Sequence, residues 1–187
     1  MGLSAEQIQR AVLTLIAFVV SVSVHEFGHA FVADRLGDRL PRMQGRVTLS
    51  PLAHIDLLGT IILPLAGPFM NLVLAIGVSI VFILLGKTGH LSETLAAALV
   101  RYFLALNIAL MFFNLIPLPP LDGAAVLSGF LPDALQFIPR TLQRYGTILF
   151  FVLFLSGFLG VVMRPAYHLV QVWADMLQRI AVSDVAS

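Results

Sequence analysis

Four long apolar segments constrain the fold of this chain more than any other feature. They run from about Ile8 to Ala33, Leu57 to Leu85, Leu95 to Leu115 and Thr147 to Met163. A helix of roughly 20 apolar residues is long enough to cross the hydrocarbon core of a bilayer. Only 11% of the residues are charged, against roughly 25% in ordinary soluble domains. We therefore predict an all-helical, polytopic membrane protein that forms a single membrane domain over residues 1–187.

The composition also excludes several classes of protein. The chain contains no cysteine, so disulfides, thiol catalysis and cysteine-ligated zinc are ruled out. A net charge of +1 provides no basic surface for nucleic acid. The N-terminal sequence MGLSAEQIQR carries a single arginine, and no A-x-A-like cleavage site follows the first apolar segment. We therefore expect that segment to be retained as a span.

The connections between the apolar segments are of two kinds. Residues 34–56 are polar and rich in arginine, and the stretch RVTL within them favours extended structure. We predict a small re-entrant element there that resembles a β-hairpin, which must be covered by protein or line a wet cavity. Residues 117–144 contain prolines at positions 117, 119, 120, 132 and 139, which should divide this connection into short pieces.

The C-terminal part has a helical pattern of its own. Beyond Pro165, apolar residues recur at helical spacing and polar residues lie opposite them. This pattern predicts an amphipathic helix at the membrane interface, and a hairpin partner for the fourth apolar segment is the alternative.

The distribution of arginine predicts the orientation in the membrane. Residues 34–56 contain four arginines and residues 117–145 contain two, whereas the short connection between the second and third segments has only Lys87. Because positive residues favour the cytoplasmic side, both arginine-bearing connections should be cytoplasmic and the N-terminus should lie outside. We expect a multi-pass protein of a prokaryotic plasma membrane.

The first apolar segment contains the polar sequence HEFGH at residues 25–29. Its histidines, His25 and His29, are four residues apart, so on a helix they share one face and can bind one metal ion. Glu26 can reach water on such an ion. Histidines in apolar helices often serve as buried hydrogen-bonding groups instead. A carboxylate and two imidazoles in lipid are costly without a function, however, and this favours a metal site nearer the cytoplasmic face.

A catalytic zinc ion takes three protein ligands and keeps a fourth position open, so a third ligand is required. Asp122 lies at the cytoplasmic end of the third segment, on the same side as His29, and the prolines before it can turn its carboxylate inward. Alternatively, Asp122 caps the helix that follows it. The other candidates lie at the opposite membrane face, beyond the last span or at positions without a secure role: His54, Asp56, His90, Glu93 and His168.

Together the two motifs resemble the site-2 protease family of intramembrane zinc metalloproteases. That family pairs HExxH with N-x-x-P-x-x-x-L-D-G, which the chain matches at Asn114, Pro117 and residues 121–123. The sequence GPFMN at residues 67–71 is similar to the family's G-P-x-x-N element. The resemblance implies a three-helix catalytic core over residues 1–130, followed by a further span and the amphipathic helix. The chain resembles the compact branch of the family, whose members lack the PDZ and CBS domains found in others.

The resemblance also implies the chemistry. His25, His29 and Asp122 would bind one zinc ion per chain, and zinc lowers the pKa of bound water towards about 7. Glu26 would be the catalytic base, accepting a proton from that water and passing it to the leaving amine. The implied activity is hydrolysis of peptide bonds in or near the transmembrane segments of membrane-protein substrates, as in regulated intramembrane proteolysis. The expected partners are such a substrate and the lipid bilayer, with no nucleic acid.

Four further polar residues have less certain roles. By resemblance, Asn71 and Asn114 would bind substrate or order the site, and hydrogen bonding between spans explains them equally well. His54 and Asp56 follow the predicted hairpin, where a role behind the metal ligands or in gating competes with interfacial hydrogen bonding and capping. The stretch RVTL could hold an extended substrate segment by β-strand addition.

Two other functions would use similar residues. A membrane metal transporter needs further ligands along a path across the bilayer, and the outer halves of the second and third segments offer only Arg101. A catalytically inactive relative would be expected to lose Glu26, which is present. Both alternatives are therefore less well supported than proteolysis.

Overall fold

The computed structural model describes residues 4–37, 57–88 and 93–183, and the regular structure within these ranges is helical throughout. The elements are α1 (Ala5–Arg35), α2 (Leu57–Thr88), α3 (Glu93–Asn114), α4 (Asp122–Phe130), a short 3₁₀ turn (Asp133–Leu135), α5 (Phe137–Leu155), α6 (Phe158–Val162) and α7 (Arg164–Ser183). The predicted all-helical class is confirmed for these ranges. The predicted β-hairpin-like element, with its RVTL stretch, lies outside them.

Within the described ranges, two helices are long and apolar enough to cross a bilayer. They are α1 and the stretch Ile61–Leu85 of α2. In α3 the apolar stretch Val100–Asn114 is shorter. A capping box begins α1, since Ser4 Oγ accepts from the Gln7 N–H at 3.2 Å and Gln7 Oε1 accepts from the Ser4 N–H at 2.8 Å. The cap satisfies two N–H groups that a helix start otherwise leaves without partners.

The first three helices pack against one another, α4 packs on α2, and α7 packs across α3 and α2. The apolar core between them includes Ala75, Leu104, Ile108 and Leu177. Large apolar side chains also cover the outer surfaces of the helices. At the centre of the bundle, in contrast, lie fully buried polar side chains: Ser21, Asn71 and Asn107. An apolar exterior around polar side chains is typical of a membrane protein, because lipid cannot satisfy polar groups.

The fourth apolar segment differs from its prediction. Residues 147–163 do not form one helix, because α5 ends at Leu155 and Gly157 adopts a left-handed conformation with φ of 76° before α6 begins. Glycine accepts this conformation because it has no Cβ. The helix α5 begins earlier than expected, at Phe137. The apolar segment is therefore divided between α5 and α6.

The proline-rich connection and the C-terminal helix agree with the sequence. Two short elements, α4 and the 3₁₀ turn, occupy residues 122–135, and the Pro119–Pro120 peptide bond is cis. The predicted C-terminal helix is present as α7; Leu177 is buried, whereas Val172 and Met176 of the predicted apolar face are exposed, and the position of the helix at a membrane interface stays a prediction. The helix packs on the three-helix core, so its main partner is α3 and not the fourth apolar segment.

Candidate metal centre

Three potential metal ligands from distant parts of the chain converge between α1 and α4. His25, His29 and Asp122 offer ligand atoms that all lie within 4.8 Å of one another. Oδ2 of Asp122 is 3.1 Å from Nε2 of His25 and 3.3 Å from Nε2 of His29. The two Nε2 atoms are 3.2 Å apart. The helical spacing predicted that the histidines share one face, and in the structure the carboxylate of Asp122 lies next to both of them.

Close packing of α2 against α1 holds the two imidazoles in place. A Cβ atom added at Gly28 would lie 2.6 Å from the carbonyl oxygen of Ala66, so the helix backbones approach closely at this point. A Cβ atom at Gly67 would lie 2.4 Å from Nε2 of His29 and 2.6 Å from Nε2 of His25. The absence of a side chain at residue 67 therefore leaves free the space beside both ligand nitrogens.

A tight return of the chain after α3 brings Asp122 back to the histidines. A Cβ atom at Gly123 would lie 2.4 Å from the carbonyl oxygens of both Leu115 and Ile116, so only glycine allows this approach. Leu121 occupies the N-cap position of α4, and no side chain caps the helix. The alternative that Asp122 caps the helix is therefore wrong. Its carboxylate faces the imidazoles at a helix N-terminus, where the helix dipole favours negative charge.

The donor set and its spacing fit a tetrahedral zinc ion. Two ligands at 2.0–2.1 Å from such an ion are about 3.4 Å apart, and the three separations here are 3.1, 3.2 and 3.3 Å. Oδ2 of Asp122 is buried and has no hydrogen bond of good geometry in the described part of the chain. Burial raises the pKa of the Asp122 carboxyl, but the neighbouring imidazoles of His25 and His29 outweigh burial and hold it below its ordinary value.

The ring nitrogens that face away from the ligand cluster also have partners. Nδ1 of His29 lies 2.8 Å from the carbonyl oxygen of Leu63. Because a carbonyl only accepts, Nδ1 of His29 carries the proton and Nε2 is free to bind a cation. Nδ1 of His25 lies 3.3 Å from Nδ2 of Asn71. Such contacts behind metal-binding histidines usually fix the ring orientation.

The other predicted site residues have different environments. Glu26 is exposed on α1, beside the ligand cluster in sequence. Asn114 donates to the carbonyl of Leu110 at 3.0 Å, a bond within its own helix. His168 is exposed on α7 and does not belong to the cluster. His54 and Asp56 lie outside the described residues.

The sequence interpretation missed a second buried polar pair. Asn107 Nδ2 donates to Ser21 Oγ at 2.8 Å and to the carbonyl of Phe103 at 2.8 Å. Ser21 precedes His25 by one helical turn, so the pattern of polar residues four apart that revealed the histidines extends to it. Asn107 lies in the apolar stretch Val100–Asn114 of α3, and its spacing from Ser21 in the chain gives no sign that the two side chains meet.

Comparisons with known proteins agree with this geometry. The model of peptidase family M50 matches residues 83–157, which include Asp122. YwhC of Bacillus subtilis is 31% identical over 81% of this chain and 84% of its own length. Rip2 of Mycobacterium tuberculosis is 31% identical over 81% of this chain and 71% of its own length.

An archaeal protein, MJ0392 of Methanocaldococcus jannaschii, is 29% identical over 81% of this chain and 44% of its own length. The names of YwhC and Rip2 class them provisionally as zinc metalloproteases, and MJ0392 is named a zinc metalloprotease outright. A comparison with solved structures gives no significant match.

Proposed function

The chain belongs to peptidase family M50, the site-2 protease family of zinc metalloproteases, and we propose that it cleaves membrane-protein substrates in or near their transmembrane segments. It is a zinc metalloprotease of the site-2 type, embedded in a membrane. The observation that carries the proposal is the convergence of His25, His29 and Asp122 at α1, one of the two described helices that are long and apolar enough to cross a bilayer. Under this proposal, the reaction is regulated intramembrane proteolysis.

The three converging side chains would hold the zinc ion. Bound zinc would supply a Lewis acid and lower the pKa of water at neutral pH. Two neutral imidazoles and one carboxylate leave the loaded centre with a net positive charge. Asp122 enters from α4, while His25 and His29 enter from α1. The ligand set therefore ties the first spanning helix to the segment that follows the third.

Glu26 would handle the proton during peptide hydrolysis. It follows His25 directly in α1, and protein does not bury its side chain. Its carboxylate would accept a proton from the attacking water and then deliver it to the departing amine. Asn71 contacts His25, whereas Asn114 bonds within its own helix. Of these two asparagines, Asn71 is the better supported as a residue that orders the site.

The proposed orientation places the centre near the cytoplasmic face. His29 is six residues before Arg35, which corresponds to about 9 Å of helix at 1.5 Å per residue. Cζ of Arg35 lies 4.6 Å from the centroid of the Phe31 ring. An arginine near a helix end can place its charge at the membrane surface. The arginines of residues 34–56 support a cytoplasmic location, with the N-terminus outside in a prokaryotic plasma membrane.

Cleavage by the purified protein tests the proposal. Wild type and Glu26→Gln would be reconstituted in liposomes with a panel of single-span membrane proteins, and zinc content would be determined for both. The proposal predicts about one zinc ion per chain in both proteins and cleavage by wild type alone. Zinc in both proteins with equal cleavage would exclude Glu26 as the base. Zinc transport into the liposomes without cleavage would favour the transporter alternative.

A further inference from the structure

Asn71 contacts His25 on the side of the ring opposite the ligand cluster. Its side chain is fully buried, and its Nδ2 atom lies 3.3 Å from Nδ1 of His25. The amide oxygen of Asn71 is also buried and has no hydrogen-bond partner within the described residues. An unpartnered buried oxygen is costly, so the arrangement calls for an explanation.

The protonation state that metal binding requires decides which atom of the Asn71 amide should face His25. A neutral imidazole carries one proton, and the nitrogen that binds a cation must be the one without it. Nε2 of His25 faces Asp122 and His29, so the proton must be on Nδ1 when zinc is bound. Nδ1 then becomes a donor and needs an acceptor. The Nδ2 group of Asn71 is itself a donor and cannot serve.

Rotation of the Asn71 amide by 180° resolves the mismatch. The amide oxygen and nitrogen are nearly the same size, and their assignment follows from the hydrogen bonds around them. After the rotation, Oδ1 of Asn71 would face Nδ1 of His25 and accept its proton. The rotation also moves the amide nitrogen into the buried position that the oxygen had occupied, so what favours it is the acceptor that a protonated Nδ1 of His25 requires. His29 already has an equivalent acceptor, the carbonyl oxygen of Leu63 at 2.8 Å.

We propose that Asn71 is a positioning residue for the metal centre: its amide oxygen accepts the Nδ1 proton of His25 and so fixes the tautomer and orientation of that ring. This inference rests on the proposed zinc site. The two histidines would then be supported by different means, His29 by the backbone of α2 and His25 by a side chain from the same helix. Only the second support can be removed by substitution.

The chain offers a matched control for a purely structural role. Asn107 is also fully buried and also has an amide oxygen without a hydrogen bond in the described ranges. Its contacts are with Ser21 and Phe103. Substitution of Asn107 therefore removes a buried amide from the same bundle without removing a contact to a ligand.

Zinc affinity, measured by competition with a chelator in detergent, tests the inference. The proteins compared are wild type, Asn71→Leu, Asn71→Asp and Asn107→Leu, each checked for an intact thermal transition. Loss of a group that supports a metal-binding histidine typically costs 10–100-fold in metal affinity, and we expect a loss of about this size for Asn71→Leu. Asn71→Asp keeps an acceptor and should bind zinc nearly as wild type does. Asn107→Leu should retain wild-type affinity.

The histidine tautomer provides a second measurement that does not depend on a substituted protein. Nitrogen NMR of zinc-loaded wild type labelled at histidine should show protonated Nδ1 in both ligands. An unprotonated Nδ1 on His25 would overturn the inference. So would wild-type affinity in Asn71→Leu, or an equal loss in Asn107→Leu. These results leave the zinc site standing, whereas a wild-type protein that binds no zinc would overturn the proposed function itself.

Discussion

The metal centre and the region around α5 are built in opposite ways. Around the centre, backbone and side chains approach so closely that Gly28, Gly67 and Gly123 have no room for a Cβ atom. Around α5, the apolar side chains leave a cavity of about 320 Å³ between α3, α5, α6 and α7, which is open to the surface of the bundle. Close packing transmits small displacements, whereas a cavity absorbs them. We therefore expect zinc binding to be sensitive to a single methyl group added at the centre and insensitive to one added around α5.

The largest effect is expected at Gly67. In Gly67→Ala the added methyl group would occupy space 2.4 Å from Nε2 of His29, so the imidazoles must move or zinc must be excluded. We expect loss of bound zinc and of proteolysis, measured by metal analysis and cleavage. Gly77→Ala is the matched control because residue 77 lies in the same helix and a Cβ atom there meets nothing within 4 Å. Equal zinc content in the two variants would contradict the account.

A smaller effect is expected at Gly123. Its added methyl group would meet backbone oxygens of Leu115 and Ile116 at 2.4 Å, and overpacking of this kind costs about 1–3 kcal/mol. Gly123→Ala should both lower the thermal midpoint and weaken zinc binding. The added methyl group would displace the tight turn of the chain after α3, and this turn also positions Asp122. A variant that loses stability but keeps wild-type zinc affinity would show that the return does not position the carboxylate.

Gly146 tests the same kind of contact in the region around α5. Here a Cβ atom would lie 2.7 Å from Cδ of Pro119, which joins α5 to the connection before Asp122. Gly146→Ala should cost about 1 kcal/mol of stability, read as a lower thermal midpoint, with zinc content unchanged. Loss of zinc in this variant would mean that α5 and the centre are coupled, and the contrast between the two regions would fail.

The smallest effect is expected from filling the cavity. Ala109 lines it together with Leu110 and Phe154, so Ala109→Leu adds apolar volume where space exists. Cavity-filling substitutions typically stabilise by about 0.5–2 kcal/mol, and we expect a change at the lower end of this range with zinc and cleavage unaltered. A large destabilisation would show that the cavity is not available to a side chain.

The two regions also differ in how well the sequence predicted them. Helical spacing alone pairs His25 with His29, whereas Asp122 was open between a ligand and a helix cap until the resemblance to the site-2 protease family implied it as the third ligand. The contact between Asn71 and His25 was not predictable, because it depends on the rotation of α2 about its axis, which the hydropathy of this strongly apolar helix does not fix. The hydrogen bond between Ser21 and Asn107 depends in the same way on the rotation of α3 about its axis.

The division of the fourth apolar segment was also missed, for a local reason. Hydropathy does not distinguish a continuous span from two helices joined by a left-handed residue, and the break lies at Gly157. The all-helical class, in contrast, could be predicted from the lengths of the apolar segments alone. Membrane topology and the roles of the site residues remain predictions.

X-ray absorption at the zinc edge tests the central claim most directly. Purified wild type and Asp122→Ala would be compared after removal of loosely bound metal. The account predicts a wild-type shell of nitrogen and oxygen ligands at 2.0–2.1 Å that includes two imidazoles, and a variant that has lost the carboxylate ligand or the metal. A wild-type shell with fewer than two imidazoles, or a shell unchanged in Asp122→Ala, would contradict the assignment of these three residues to one metal centre.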